Sequence, residues 1–125
     1  MTSSDEGSAI VDFALVGALV TVLFVAVLQL ALVQHVRNTL VDCAAEGARY
    51  AALSGHEPAD GEERTRTLIE QSLSVAYARD VTAVRTTVGG VDVVDVQVTS
   101  PLPVVGLVGP GGRLTVHGHA LEENP

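Results

Sequence analysis

Phe13 to Val33 reads FALVGALVTVLFVAVLQLALV, and only Thr21 and Gln29 are polar among these 21 residues. At about 1.5 Å per residue a helix of this length covers about 30 Å, the thickness of a bilayer's hydrocarbon core. A helix apolar on every side is otherwise buried only inside a large soluble core. The chain has 125 residues in all, and the remainder outside the run is too short to build one. The run therefore reads as a membrane span, which commits the N-terminal part of the chain to lipid.

Two other readings of an N-terminal apolar run fail on its flanks. A cleaved secretory signal needs a positive n-region and a shorter apolar stretch. Here Asp5 and Glu6 precede the run, with no Arg or Lys before it. Leu40-Val41-Asp42-Cys43 has the outline of a lipidation box. However, Asp42 stands where a small residue is needed, and Cys43 lies ten residues past Val33.

Composition narrows the function. The seven basic residues are all Arg, set against fifteen acids, for a formal charge of −8. Phosphate contacts need basic side chains, so the balance argues against nucleic acid as a partner. One Cys excludes an intramolecular disulfide and a multi-Cys zinc site. Cys43 reads as a small packing residue, with a disulfide to a neighbouring subunit as the alternative.

Beyond the span, residues 34–55 hold no breaker before Ser54 except Gly47, so the helix is expected to continue out of the membrane and stop at Gly55. Ala44, Ala48 and Ala52 share one face, and Gly47 and Ala51 an adjacent one. Small residues at this spacing let helices approach closely, so these five are candidates for helix packing. Glu46 and Arg49 can pair on the exposed side. His56 to Glu63 reads as a linker. Glu62 to Arg79 reads as an amphipathic helix with Leu68, Ile69, Leu73, Val75 and Ala76 inward.

Val81 to Val98 reads as a hairpin around Gly89-Gly90. Val91 and Val93 are out of phase with Val94, Val96 and Val98. A bulge near Val93-Val94 would restore a single apolar face and set Val84 opposite Val96. Leu114 to Leu121 forms a third strand with Leu114, Val116 and Ala120 on one face. Pro101 to Gly112 is an apolar loop rich in breakers, suited to a partner, a membrane surface or folding back on the sheet. The fold class is thus α+β: a long N-terminal transmembrane helix and a small head of one helix and about three antiparallel strands. The head, residues 56–125, is marginal alone and needs the long helix or a partner subunit to complete its core.

No catalytic constellation emerges. His117 and His119 form an H-x-H pair on one strand face, half of a metal site. A third ligand would have to come from Glu122, Glu123 or elsewhere, and nothing fixes the spacing, so the pair reads better as the polar outer face of an end strand. Gly109 to Gly112 lacks the Lys and the strand-to-helix setting of a phosphate loop. No cofactor, metal or small-molecule substrate is expected, and no enzymatic activity.

The N-terminal flank carries the most specific signal. Residues 7–13 read GSAIVDF. A Gly, a small residue, an acid five positions after the Gly, an aromatic and then the span resemble the processing site of type IV prepilins and pseudopilins. Arg37-Asn38 and the segment AAEGARYAA at 44–52 resemble the block that succeeds the span in the TadE-like family of the tight-adherence pilus system. The resemblance implies a leader of residues 1–7, cleavage between Gly7 and Ser8 by a membrane-embedded prepilin peptidase, and a mature helix 8–33 in the membrane. Asp12 and Phe13 would become the fifth and sixth mature residues. It also implies a bacterial cell-membrane protein with a single span and an extracytoplasmic, pilin-like head. Other pilins or assembly proteins would be its partners, and a surface pilus is one destination open to it. Two positions depart from the family pattern: Asp12 replaces the usual Glu, and the leader is acidic rather than basic. Arg37 and Arg49 flank the span on its C-terminal side, so the positive-inside rule points the opposite way from the resemblance on topology. An uncleaved, anchored accessory subunit, whose head binds a secretion or envelope partner, is the alternative function.

Overall fold

The structure is a computed structural model and describes residues 3–103 and 112–123. Helix α1 runs Ser3–Ala51 and α2 runs Pro58–Ser72. A short 3-10 turn, Val75–Ala78, leads into β1 (Asp80–Val88), β2 (Val91–Pro101) and β3 (Arg113–Leu121). The strands form one antiparallel sheet in the order β1-β2-β3. The α+β class is as expected. The chain divides into two compact units, residues 1–32 and 33–125, with the boundary inside α1.

In the first unit the helix holds itself together. From Phe13 to Leu28 every residue is exposed, with Phe13 at 81%. Asp5 and Glu6 sit in the first turn, where the helix dipole favours acids. The Thr21 hydroxyl donates to the Gly17 carbonyl at 2.8 Å, so this polar side chain is satisfied within its own helix. Among the described residues α1 is the one helix long and apolar enough to cross a membrane.

In the second unit the same helix becomes a core element. Val36, Leu40, Cys43, Ala44, Ala48, Ala51 and Ala52 are buried, following the three-to-four residue period of one helix face. They cluster with Ile69 of α2 and with Val81, Val94, Val96, Val98, Leu114 and Val116 of the sheet. The end of the long helix therefore supplies one side of the head's core.

The small side chains set the packing distances. A Cβ at Gly47 would collide with the Thr65 side chain and come within 2.8 Å of the Gly61 carbonyl; one at Gly61 would lie 2.7 Å from the Ala51 Cβ. Helices α1 and α2 thus meet at a glycine on each side. A Cβ at Gly118, midway along β3, would run into the backbone of Ala44 and Ala45. The sheet rests directly on α1 at that point. The Thr65 hydroxyl is buried at the α1–α2 contact with no hydrogen-bond partner among the described residues.

Three details differ from expectation. First, α2 begins at Pro58, inside the expected linker. Proline suits the first turn because its missing N–H would be unpaired there anyway. The Asp60 carboxylate accepts from the Glu57 N–H at 2.7 Å and fixes the entry. Second, α2 ends at Ser72 rather than Arg79, with Leu73 at φ −127° and ψ −96°. Val75 and Ala76 consequently turn outward, and Val75 is 60% exposed. Third, β1 and β2 pair without a bulge, so Val84 faces Asp95, not Val96. Val94, Val96 and Val98 point into the core, while Val84, Val88, Val91 and Val93 share the opposite face. That face holds an apolar patch of its own, so nothing forces the strand to bulge.

The hairpin at Gly89-Gly90 and the inward set of β3 are as read from the sequence. Both turn glycines have positive φ, 59° and 81°, which the tight two-residue turn demands. The loop 101–112 falls mostly outside the described residues. Its described ends are joined by a bond from the Leu102 N–H to the Gly112 carbonyl at 3.1 Å.

Arg85 closes the far end of the head. It donates to Glu122 at 2.6 Å, to Glu57 at 3.2 Å and to the His56 carbonyl at 3.1 Å. The hydrogen bond to Glu122 is the main reason its pKa is raised. The Glu123 N–H donates to the Ala52 carbonyl at 2.8 Å, tying the end of β3 to the end of α1.

Two substitutions test this packing in the full chain held in detergent. Gly118→Ala forces β3 off α1 and is expected to cost about 1–3 kcal/mol in the head's denaturant unfolding. An unchanged midpoint would contradict the contact. Thr65→Val removes an unpaired buried hydroxyl and is expected to raise stability by about 1 kcal/mol. A loss of stability would show that the hydroxyl has a partner.

Candidate functional site

Gly7, Ser8, Asp12 and Phe13 all lie in α1, between its acidic first turn and the apolar run. All four are exposed, and a Cβ at Gly7 would meet nothing within 4 Å. Ser8 and Asp12 are four residues apart, so they share a helix face one turn from each other. No other element of the described chain supplies a group to them. The segment is a stretch of exposed helix that continues directly into the apolar run.

The five small residues are placed differently. Ala44, Ala48 and Ala51 have no exposure, Ala52 has 3%, and Gly47 is buried. They pack against α2 and the sheet of their own chain. Glu46 and Arg49 remain outside and pair at 3.2 Å. Cys43 belongs to the same core, at 6% exposure. Burial pushes its thiol pKa up and the nearby Asp42 charge adds to this, while a hydrogen bond with Ser72 offsets part of it.

His117 and His119 project from the open face of β3, as expected. The carboxylate that reaches them is not Glu122 or Glu123. Glu122 is engaged by Arg85, and Glu123 accepts from the Ser54 N–H at 3.4 Å. The third group is Asp95 of β2. Its Oδ1 lies 3.3 Å from His117 Nδ1 and 3.1 Å from His119 Nε2. The sequence sets no register between β2 and β3, so it named no β2 residue opposite the two histidines. With regular pairing, Asp95 falls directly opposite His119.

These features define a class of protein: a chain with one membrane-capable N-terminal helix whose continuation is built into a small α+β head. Residues 7–49 match the family model described as TadE-like protein, so this helical segment is TadE-like. The match is the family that the Gly7–Phe13 motif and the 44–52 block resemble. The matched segment holds the apolar run, which is long and apolar enough to cross a membrane. No curated protein and no solved structure gives a significant match to the chain.

The state of Cys43 can be read directly. A buried thiol with a raised pKa presents little thiolate at pH 8. Alkylation by iodoacetamide at that pH is expected to be at least about tenfold slower in the folded chain than in denaturant. Equal rates would place the thiol outside the core.

Proposed function

We propose that the chain is a minor pilin or pseudopilin of a tight-adherence pilus or a related secretion apparatus. It is a structural subunit and a substrate of a prepilin peptidase, not an enzyme. Its head lies outside the cytoplasm. The observation that best supports this reading is where the family match begins: at Gly7, the residue after which such a leader is cut.

The chemistry is consistent with that role. Hydrolysis of the Gly7–Ser8 amide would free an α-amine on Ser8. Asp12 lies one helical turn on, with about 5–6 Å between the two Cβ positions. An ammonium and a carboxylate at the membrane face are each costly alone and cheaper as a pair. The pair can form within one subunit, or between the Asp12 of one and the new amine of the next, which would set their register. Subunit contacts would use residues 8–33, most of whose side chains are exposed in the chain. The 44–52 face is already occupied by the head and is not available to them.

The test is Asp12→Ala in the native cell. Assembly of the pilus or secretion apparatus is expected to fail while the protein still fractionates with the membrane, and Asp12→Glu is expected to retain assembly. Normal assembly by Asp12→Ala would favour an uncleaved, anchored accessory subunit instead.

A further inference from the structure

We propose that Asp95, His117 and His119 form a binding site for a divalent transition cation, with Zn2+ the best chemical fit, on the open face of the sheet. The inference is independent of the pilus reading.

The fold brings the three residues together by simple strand geometry. His117 and His119 are two apart on β3, so both point to the same face. β2 runs alongside with Asp95 opposite His119 and Gln97 opposite His117. Asp95 therefore reaches one His directly and the other diagonally. One ligand atom from each residue lies within 4.8 Å of the others. The two imidazole rings are 6.0 Å apart and inclined by only 15°, so they flank the carboxylate in parallel.

The distances suit a metal. Zn–N bonds are about 2.0–2.1 Å, which puts neighbouring ligand atoms of a tetrahedron about 3.3–3.4 Å apart. The two observed separations from Asp95 Oδ1, 3.3 and 3.1 Å, are close to such edges. The carboxylate is a hard donor that takes many cations, but the two imidazoles are borderline donors and favour Zn2+, Cu2+ or Ni2+ over Mg2+ or Ca2+. Three protein ligands leave room for water or for a donor from a neighbouring molecule.

The surroundings do not oppose a cation. The open-face neighbours in register, Val84, Val93, Gln97 and Leu121, carry no positive charge. Val88, Val93, Ala120 and Leu121 line an apolar hollow with His119. Asp95 is the least exposed of the three side chains, at 21%, which fixes the carboxylate as the anchor.

The test is calorimetric titration of ZnCl2 into the metal-stripped full chain in detergent micelles. One Zn2+ per chain is expected, at micromolar affinity or tighter. Asp95→Asn and His119→Gln should each weaken binding at least about tenfold, since each removes one of only three protein ligands. Both alter positions on the open face of the sheet, and unchanged circular dichroism would establish that the head is folded. His56→Ala and Cys43→Ser should leave binding unchanged. Absence of stoichiometric binding would overturn the proposal, as would binding that survives His119→Gln or is abolished by Cys43→Ser.

Discussion

A single helix is apolar for two different reasons, and the rest of the structure depends on where one gives way to the other. From Phe13 to about Val33 it is apolar on nearly every side and largely exposed, which suits lipid or the apolar helices of other subunits. From Val36 it keeps one buried face, filled by the chain's own α2 and sheet. No Pro or charged pair marks the change. The marker is a change in periodicity, from uniform hydrophobicity to a stripe of Leu and Ala with polar residues between.

That stripe dictates the head. Ala and Gly at 44, 47, 48 and 51 leave no bulk on α1, so the partners must come close. Gly61 meets the helix on one side and Gly118 on another, and each position would be overfilled by a single methyl group. With three short strands and one further helix, the head is too small to bury a core by itself. It therefore uses the end of the membrane helix as its central element. Deleting the whole of α1 would remove a large part of the core along with the anchor.

Much of this was legible in the sequence. The span, the Gly89-Gly90 hairpin, the inward residues of β3 and the α+β class all derive from period and turn chemistry. The misses came from local competition. Pro58, read as a residue beyond the end of α1, is the first turn of α2. Val75 and Ala76 keep a helical spacing, yet the chain has already left the helix at Leu73. At β2, apolar residues on both faces suggested a bulge, because a patch on the open face was not anticipated. Asp95 beside the two histidines was missed for a different reason: no turn chemistry fixes the β2–β3 register across the 101–112 loop. The Gly7–Phe13 motif, by contrast, could be read only as a string of residues: Gly7, Ser8, Asp12 and Phe13 are exposed on α1, so no packing argument points to them.

The functional account rests on that string and on the TadE-like match that begins with it. Its central claim is that the first seven residues are a leader and that the mature protein starts with an amine one turn from Asp12. The intact mass of the protein isolated from its native membranes tests this most directly. The account predicts a chain beginning at Ser8. A chain beginning at Met1 or Thr2 would contradict it and leave a permanently anchored subunit.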